Sequence, residues 1–423
     1  MPRLPRRSLV ACVGALPLAW VFSRHLRAEA TPLVPDPDGI LDLLEGFSYT
    51  ILQRRFADMD DGYRVPDKCD GMACFDGTPT ADGRATLVLM RNHELEGNQI
   101  ALGPCKDGQA PPAEAYNRNA PGGVTRLVLD RETLEPLSSN LVLTGTLRNC
   151  SGGLSPWGWL SCEEIVIDGH GYVFVCRTDA ATVQPAKPIR GYGRFRHEAA
   201  HVDPSTHIAY LTEDEPVSAL YRFVPRGADP FDGTLQAMAV KRAPRASLTN
   251  MEIGQRLDVA WVPVDDPEGT SVRVGDQARA LGAAVVVRGE GLWLHDDAVY
   301  FCATEGGPFG AGQIFKLHPE GDEGVLELVA IGSSPDLLRC PDNIAVHPDG
   351  GIVVAEDGPG GDCLRGIDVD GRPFDFARNV KSDGELAGVC FDPSGSVMFV
   401  NLYEEGLTLA IRGPVRSLFS AKG

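Results

Sequence analysis

Six times along this chain a short apolar run ends in an acid, and no other feature constrains the fold as much. The runs are ATLVLMRNHE ending at Glu94, GWLSCEE at Glu164, IAYLTED at Asp214, AVYFCATE at Glu305, GIVVAED at Asp357 and VMFVNLYEE at Glu405. Several lie roughly fifty residues apart, the size of a four-stranded propeller blade. Upstream of each run a second element recurs, an acid or cysteine followed within a few residues by a small residue. It appears as Asp70 in CDGMACF, Cys150 in NCSGG, Glu198 in RHEAAHVDP, Glu290 in RGEGLWL, Asp342 in PDNIAVHPDG and Glu385 in GELAGVCFDPSG. Turn signals such as His347-Pro348-Asp349-Gly350 and Asp392-Pro393-Ser394-Gly395 separate the two elements. Long amphipathic patterns are scarce after residue 45, and 48 Gly and 32 Pro punctuate the apolar runs, which reads as mostly β. The expectation is an all-β, six-bladed β-propeller spanning residues 31–423 as one domain. Insertions are expected at about 95–140 and 226–285, with a metal site at the channel mouth.

The innermost strand of each propeller blade lines a central channel, so acids at its start converge on one mouth. The net charge of −19 and a sequence pI near 4.9 leave that carboxylate excess to open solvent or to bound cations. The same charge argues against nucleic acid or an anionic membrane surface as partner. Clustered carboxylates without a histidine-rich motif suit hard cations, calcium above all. A thiolate among them is foreign to a pure calcium site and points to a transition metal as well. Cys150 is therefore informative: beside Gly-Gly it reads as a small buried residue, but its repeat position elsewhere carries carboxylates. Glu163 and Glu164 stand side by side, where ionised carboxylates repel unless a cation intervenes. The pair reads either as solvated loop charge or as metal ligands.

Arg288, two residues before Glu290, reads either as a bidentate phosphate ligand or as a structural ion pair. Asn92 reads as a substrate contact or a turn cap. His93 and His197, each followed by glutamate, read as hydrogen-bonding spacers rather than metal ligands, and Trp157 and Trp159 as packing. The glycine-rich run at 358–362 opens no helix and is not a phosphate loop. No G-x-S-x-G nucleophile motif is present.

The first thirty residues read as an export signal. They have a basic start, an apolar run from Leu9 to Phe22, and an A-x-A-like end at Ala28 and Ala30. Arg6 and Arg7 just before the apolar run point to the twin-arginine machinery and a periplasmic or secreted location, with no membrane attachment after signal removal. Of 11 cysteines, Cys12 leaves with the signal. Disulfides outside the cytoplasm are expected to involve Cys69, Cys74 and Cys105 first. The absence of a C-x-x-C pair argues against structural zinc.

The motifs RNHE, GGVT, NCSGGLSPWGWLSCEE, RHEAAHVDP, YLTED, YRFVP, RGEG, PDNIAVHPDG, AEDG and GELAGVCFDPSG run in that order from about residue 85 to 412. In this they resemble the PhoX-type alkaline phosphatases. The resemblance implies a twin-arginine-exported propeller that holds Fe3+ and Ca2+ and hydrolyses small-molecule phosphomonoesters; a monomer is expected. It implies that Cys150 is a bridging iron thiolate of the catalytic centre. Acidic metal ligands are then expected among Glu163, Glu164, Glu198, Glu213, Glu290 and Glu385, with Glu94, Asp342 and Glu356 as further members. It assigns phosphate binding to Arg288. Two departures stand out: Ser151 follows Cys150 where alanine is expected, and the insertions are short. EGLWLHDDAVYF and PDNIAVHPDGGIVVAED also resemble the gluconolactonase-like proteins, which implies a calcium-dependent lactonase without a thiolate. A non-catalytic binding propeller stabilised by calcium is the third reading.

Overall fold

The computed structural model describes residues 32–332, 338–358, 362–368 and 373–419. The export signal read at 1–30 lies outside them, as do residues 359–361 of the glycine-rich run. Among the described residues, no helix is long and apolar enough to cross a membrane.

Each repeat seen in the sequence folds as an antiparallel meander, because short runs of β-branched and aromatic residues alternate with tight turns. Gly350 and Gly395 close the two quoted turns at φ +96° and +70°. The meanders open with the strands Cys69–Asp76, Asn149–Ser155, His197–Val202, Gly289–His295, Pro341–Val346 and Leu386–Phe391. These six lie against one another in chain order, and the last lies against the first, so they ring a common axis. The N-terminal segment completes the assembly. Ser48–Arg54 pairs with Leu407–Arg412, and Leu41–Leu43 pairs with Pro373–Asn379, so the start of the chain fastens its end.

The ring is not carried by six separate blades, and that expectation is corrected. Four sheets of three to five strands are separate, but the fifth is a continuous nine-stranded sheet. Its order runs from His197–Val202 through Asp229–Val240, Arg256–Pro263 and Glu323–Ile331 to Gly289–His295. Arg256–Pro263 makes the difference, since it pairs with Asp229–Val240 on one edge and with Glu323–Ile331 on the other. The two end strands of this sheet lie side by side, so it nearly closes on itself. The stretch 226–285, read as an insertion, thus supplies sheet strands and the short helix Val274–Ala280.

Apolar clusters fill the spaces between neighbouring sheets. Leu52, Met72, Leu89 and Leu127 pack against Cys390, Phe399 and Ala410, for instance. The ten cysteines from Cys69 to Cys390 are all free thiols, so the disulfides expected to involve Cys69, Cys74 and Cys105 do not form. Cys69 and Cys74 share one strand, which holds them about 15 Å apart, far beyond disulfide reach.

The small residue that follows each acid has a packing reason. A Cβ on Gly153 would sit 2.1 Å from the Ala200 carbonyl oxygen, and one on Gly291 would sit 2.3 Å from that of Asp342. Glycine is what lets neighbouring first strands approach around the axis. Gly153→Ala should lower stability by roughly 1–3 kcal/mol or more, whereas Gly97→Ala, with only Leu147 Cδ2 at 4.0 Å, should be nearly neutral. Urea unfolding midpoints measure this, and equal midpoints for the two variants would contradict the close approach.

Candidate metal centre

Where each first strand meets its second, the ladder bulges in all six meanders. A bulge re-aims one side chain while the rest of the strand keeps its alternation. The residue that enters the bulge is Asp70, Cys150, Glu198, Glu290 or Asp342 in five copies, the same rung each time. In the sixth copy Gly388 takes that rung at φ +60°. Glu385 enters from another level. The Tyr403 amide donates to the Glu385 carbonyl at 3.1 Å, just as Glu94, Glu164 and Thr304 donate to Lys68, Arg148 and Arg288.

The second strands explain the paired acids. Successive residues of a strand point to opposite faces, so Glu163 and Glu164 part company. Glu163 is fully buried and turned into its own sheet. It accepts the amides of Leu147 (3.0 Å), Gly171 (2.8 Å) and Tyr172 (3.2 Å), and meets His170 Nδ1 at 2.7 Å. Glu213 accepts the Tyr221 hydroxyl at 2.7 Å, and Glu356 accepts the Arg339 amide and Arg365 Nε at 2.8 and 2.9 Å. These three expected ligands are therefore corrected: the pleat turns them away from the mouth, where protein donors hold them. The residues that follow them, Glu164, Asp214 and Asp357, face the mouth together with Glu94.

At the mouth, three groups each bring potential ligand atoms within 4.8 Å of one another: Asp70, Glu94 and Cys150; Cys150, Glu164 and Glu198; Glu198, Glu290 and Asp342. They share members, so they form one chain of sites. Cys150 Sγ stands 3.5 Å from Asp70 Oδ2 and 3.3 Å from Glu198 Oε1. Burial, reinforced by neighbouring carboxylates, pushes Asp70, Glu198, Glu290 and Glu385 well above the usual carboxylate range. The same causes push the Cys150 thiol up. Asp357 rises to about 6, first from burial and then from Asp342. Asp70 Oδ1 and Asp342 Oδ1 are buried with no hydrogen-bond partner. Orphaned acceptors among mutually repelling acids are the donor arrangement that a cation site requires. The donor set fits: thiolate with carboxylates for a transition metal, carboxylates alone for a hard cation.

Basic side chains sit just outside the acids. Arg148 Nη2 reaches Glu94 Oε1 at 2.9 Å and also bonds Glu164, which Arg196 holds from the other side. Arg288 forks onto Asp214 at 2.9 and 3.1 Å and pairs with Glu290 at 2.5 Å without hydrogen-bond geometry. Its remaining nitrogen meets Glu305 at 3.4 Å. Lys68, Arg148 and Arg288 hold left-handed backbone at φ 53°, 45° and 50°, strain of the kind concentrated at functional sites. Sequence reasoning picked out Arg288 and missed the others. The signal was there as a basic residue two positions before the acid or thiol: Lys68 before Asp70, Arg148 before Cys150, Arg196 before Glu198. Asp70 itself was read as a repeat member and not as a ligand. Asn92, expected at the substrate, is corrected: it is fully buried and fully bonded. Its amide nitrogen donates to the Cys150 and Ser151 carbonyls at 3.0 and 2.6 Å, and its oxygen accepts from Trp159 Nε1 at 2.8 Å. His93 and His197 are buried, held neutral by desolvation, and bond backbone carbonyls.

The family model of alkaline phosphatase PhoX matches residues 28–141 and 136–406. The chain belongs to this family. The solved structure of Pseudomonas fluorescens PhoX in complex with vanadate, a transition state analogue, superposes with a TM-score of 0.70 at 16% identity. The match covers 91% of this chain and 97% of that one, and at this identity it speaks for the fold. A candidate 6-phosphogluconolactonase from Bacteroides uniformis ATCC 8492 aligns over 89% of this chain and 96% of its own, at 12% identity and a TM-score of 0.43. The Myceliophteria thermophila Cps50 (Swd1) β-propeller domain aligns over 86% and 99%, at 11% identity and a TM-score of 0.42. No curated protein sequence matches the chain.

Glu213 offers a test of the sorting of acids. Burial raises its pKa from 4.5 to about 7, so the folded state binds a proton that the unfolded state releases between those values. Its contribution is whole below pH 4.5 and is lost as pH rises through 7. Glu213→Gln, which keeps an acceptor for Tyr221, should stabilise the protein at pH 8 by on the order of 2–3 kcal/mol and leave it unchanged at pH 4. Melting curves at the two pH values decide; a variant less stable at pH 8 would return Glu213 to the ligand set.

Proposed function

We propose that this PhoX-family chain is an exported, metal-dependent phosphatase that hydrolyses small-molecule phosphomonoesters with Fe3+ and Ca2+ at the channel mouth. The observation that carries this reading is the position of Cys150. Its sulfur belongs to two of the three ligand groups, and Glu198 joins it to the third. Asp70, Glu94, Cys150, Glu164 and Glu198 would hold the iron, and Glu198, Glu290 and Asp342 the calcium, with Glu385 beside them. When bound, such ions supply Lewis-acid polarisation of the phosphoryl group and lower the pKa of water.

The chain's own residues do the rest. Arg288 would offer Nη1 to a non-bridging phosphoryl oxygen, since its Nε and Nη2 already fork onto Asp214. Its contact with the exposed Glu305, the loosest it makes at 3.4 Å, is the one a phosphate would displace. Arg148 and Arg196 hold the two oxygens of Glu164, one each, and so fix its carboxylate beside Cys150 and Glu198. Asn92 fixes the Cys150 backbone against Trp159, so the sulfur is positioned before any ion arrives. Residues 1–30 would send the protein through the twin-arginine route to the periplasm or beyond, where it would act as a monomer on phosphate esters. A calcium lactonase or a calcium-stabilised binding propeller needs no thiolate, and the placement of Cys150 favours neither.

Untagged protein should contain iron and calcium by elemental analysis and show a visible thiolate-to-iron absorption band. Cys150→Ala should lose the band and most of the iron, and kcat/KM on phenyl phosphate should fall roughly a hundredfold or more. Calcium alone, with the variant indistinguishable from wild type, would sink the reading.

A further inference from the structure

Beside the Cys150 cluster opens a cavity of about 670 Å³ whose inner end is Arg148 and Glu164. Its size lies in the range of small-molecule sites. Its apolar lining is the run Ile165, Val166 and Ile167 together with Leu147 and Gly97. Val166 and Ile167 are 40% and 45% exposed, among the few large apolar side chains left open to solvent. This run is held rigidly. The His170 amide donates to the Ile167 carbonyl at 3.0 Å, and Arg194 ties down the carbonyls of both Ile167 and His170.

Charge in the cavity is balanced. Arg148, Arg196 and Arg273 line it opposite Glu96, Glu164 and Glu215. Each guanidinium is engaged: Arg148 with Glu94 and Glu164, Arg196 with Glu164, and Arg273 with Glu215 at 2.6 Å. A second anionic group entering here would have to break one of these pairs, within a chain of net charge −19. An uncharged, partly apolar body would instead cover Val166 and Ile167 and displace water from them.

We propose that this cavity is the leaving-group subsite and selects monoesters of uncharged, partly apolar alcohols, such as aryl or flat-ring alcohols, over esters carrying a further carboxylate or phosphate. The inference rests on the phosphatase reading. Non-hydrolysable phosphonates separate the two. Calorimetry on metal-loaded wild type should show phenylphosphonate binding roughly tenfold or more tighter than methylphosphonate, with phosphonoacetate the weakest. In a Val166→Ser/Ile167→Ser double variant, whose changes sit on the surface, the phenyl preference should shrink to within about twofold while methylphosphonate keeps its affinity. Gly97→Val, on the same cavity lining and with only Leu147 Cδ2 at 4.0 Å from its added Cβ, should weaken phenylphosphonate alone. Equal affinities in wild type, or a phenyl preference that survives both variants, would overturn the subsite and leave phosphoryl recognition standing. No binding of any phosphonate would overturn the phosphatase reading and the subsite with it.

Discussion

Buried like charge is the constraint on which the rest of this structure depends. Asp70, Glu164, Glu198, Glu290 and Asp342 are all nearly inaccessible to solvent, and their oxygens crowd within 4.8 Å in shared groups. Two carboxylates about 5 Å apart repel by roughly 3 kcal/mol at an effective dielectric of 20, and several such pairs overlap here. Protonation relieves part of this, which is why so many of these groups are pushed upward in pKa. The guanidiniums of Arg148, Arg196 and Arg288 relieve another part, but they reach only the outer oxygens. The inner ones, Asp70 Oδ1 and Asp342 Oδ1 among them, are left without a donor. A site built this way favours cations strongly.

Two backbone devices hold that arrangement against its own repulsion. The bulge at the start of the first strand re-aims one side chain toward the axis in five of the six meanders, and the pleat of the second strand sends one acid of each pair inward and one outward. The acids turned into the sheets are not spare ligands. Glu163 organises the Leu147 amide, His170 and the turn at Gly171 and Tyr172, and so braces the strained residue Arg148 and the strand that carries Cys150. Strain at Arg148 and Arg288 is held by surroundings of this kind, as over-determined backbone elsewhere is.

The nine-stranded sheet gives the ring an uneven rim. Because Arg256–Pro263 fuses two meanders, the connection that follows it, with Arg273 and the helix Val274–Ala280, is drawn over the same side of the mouth as Glu215 and the Ile165–Ile167 run. The cavity beside the cluster therefore has a defined wall on one side.

Much of the centre was legible in the sequence because its chemistry is periodic. Five of the six upstream elements, from Asp70 to Asp342, occupy one structural rung, and a repeat of acids at fixed places in a repeating strand pattern can be read without coordinates. Composition and turn chemistry were enough for an all-β ring, since Gly and Pro mark where strands must end. Three things were decided only in three dimensions. Which acid of a neighbouring pair faces the mouth depends on strand register, and a shift of one residue reverses it, so Glu163, Glu213 and Glu356 could not be told from their neighbours by type. The sixth copy keeps its acid at Glu385 but carries glycine in the bulge, a displacement visible only through backbone pairing. The number of sheets rests on edge hydrogen bonds between strands far apart in sequence, Arg256–Pro263 and Glu323–Ile331. Backbone donors carry no side-chain signature, so the chain determined its repeating strands and its charged mouth, and the tertiary structure alone decided how those strands join.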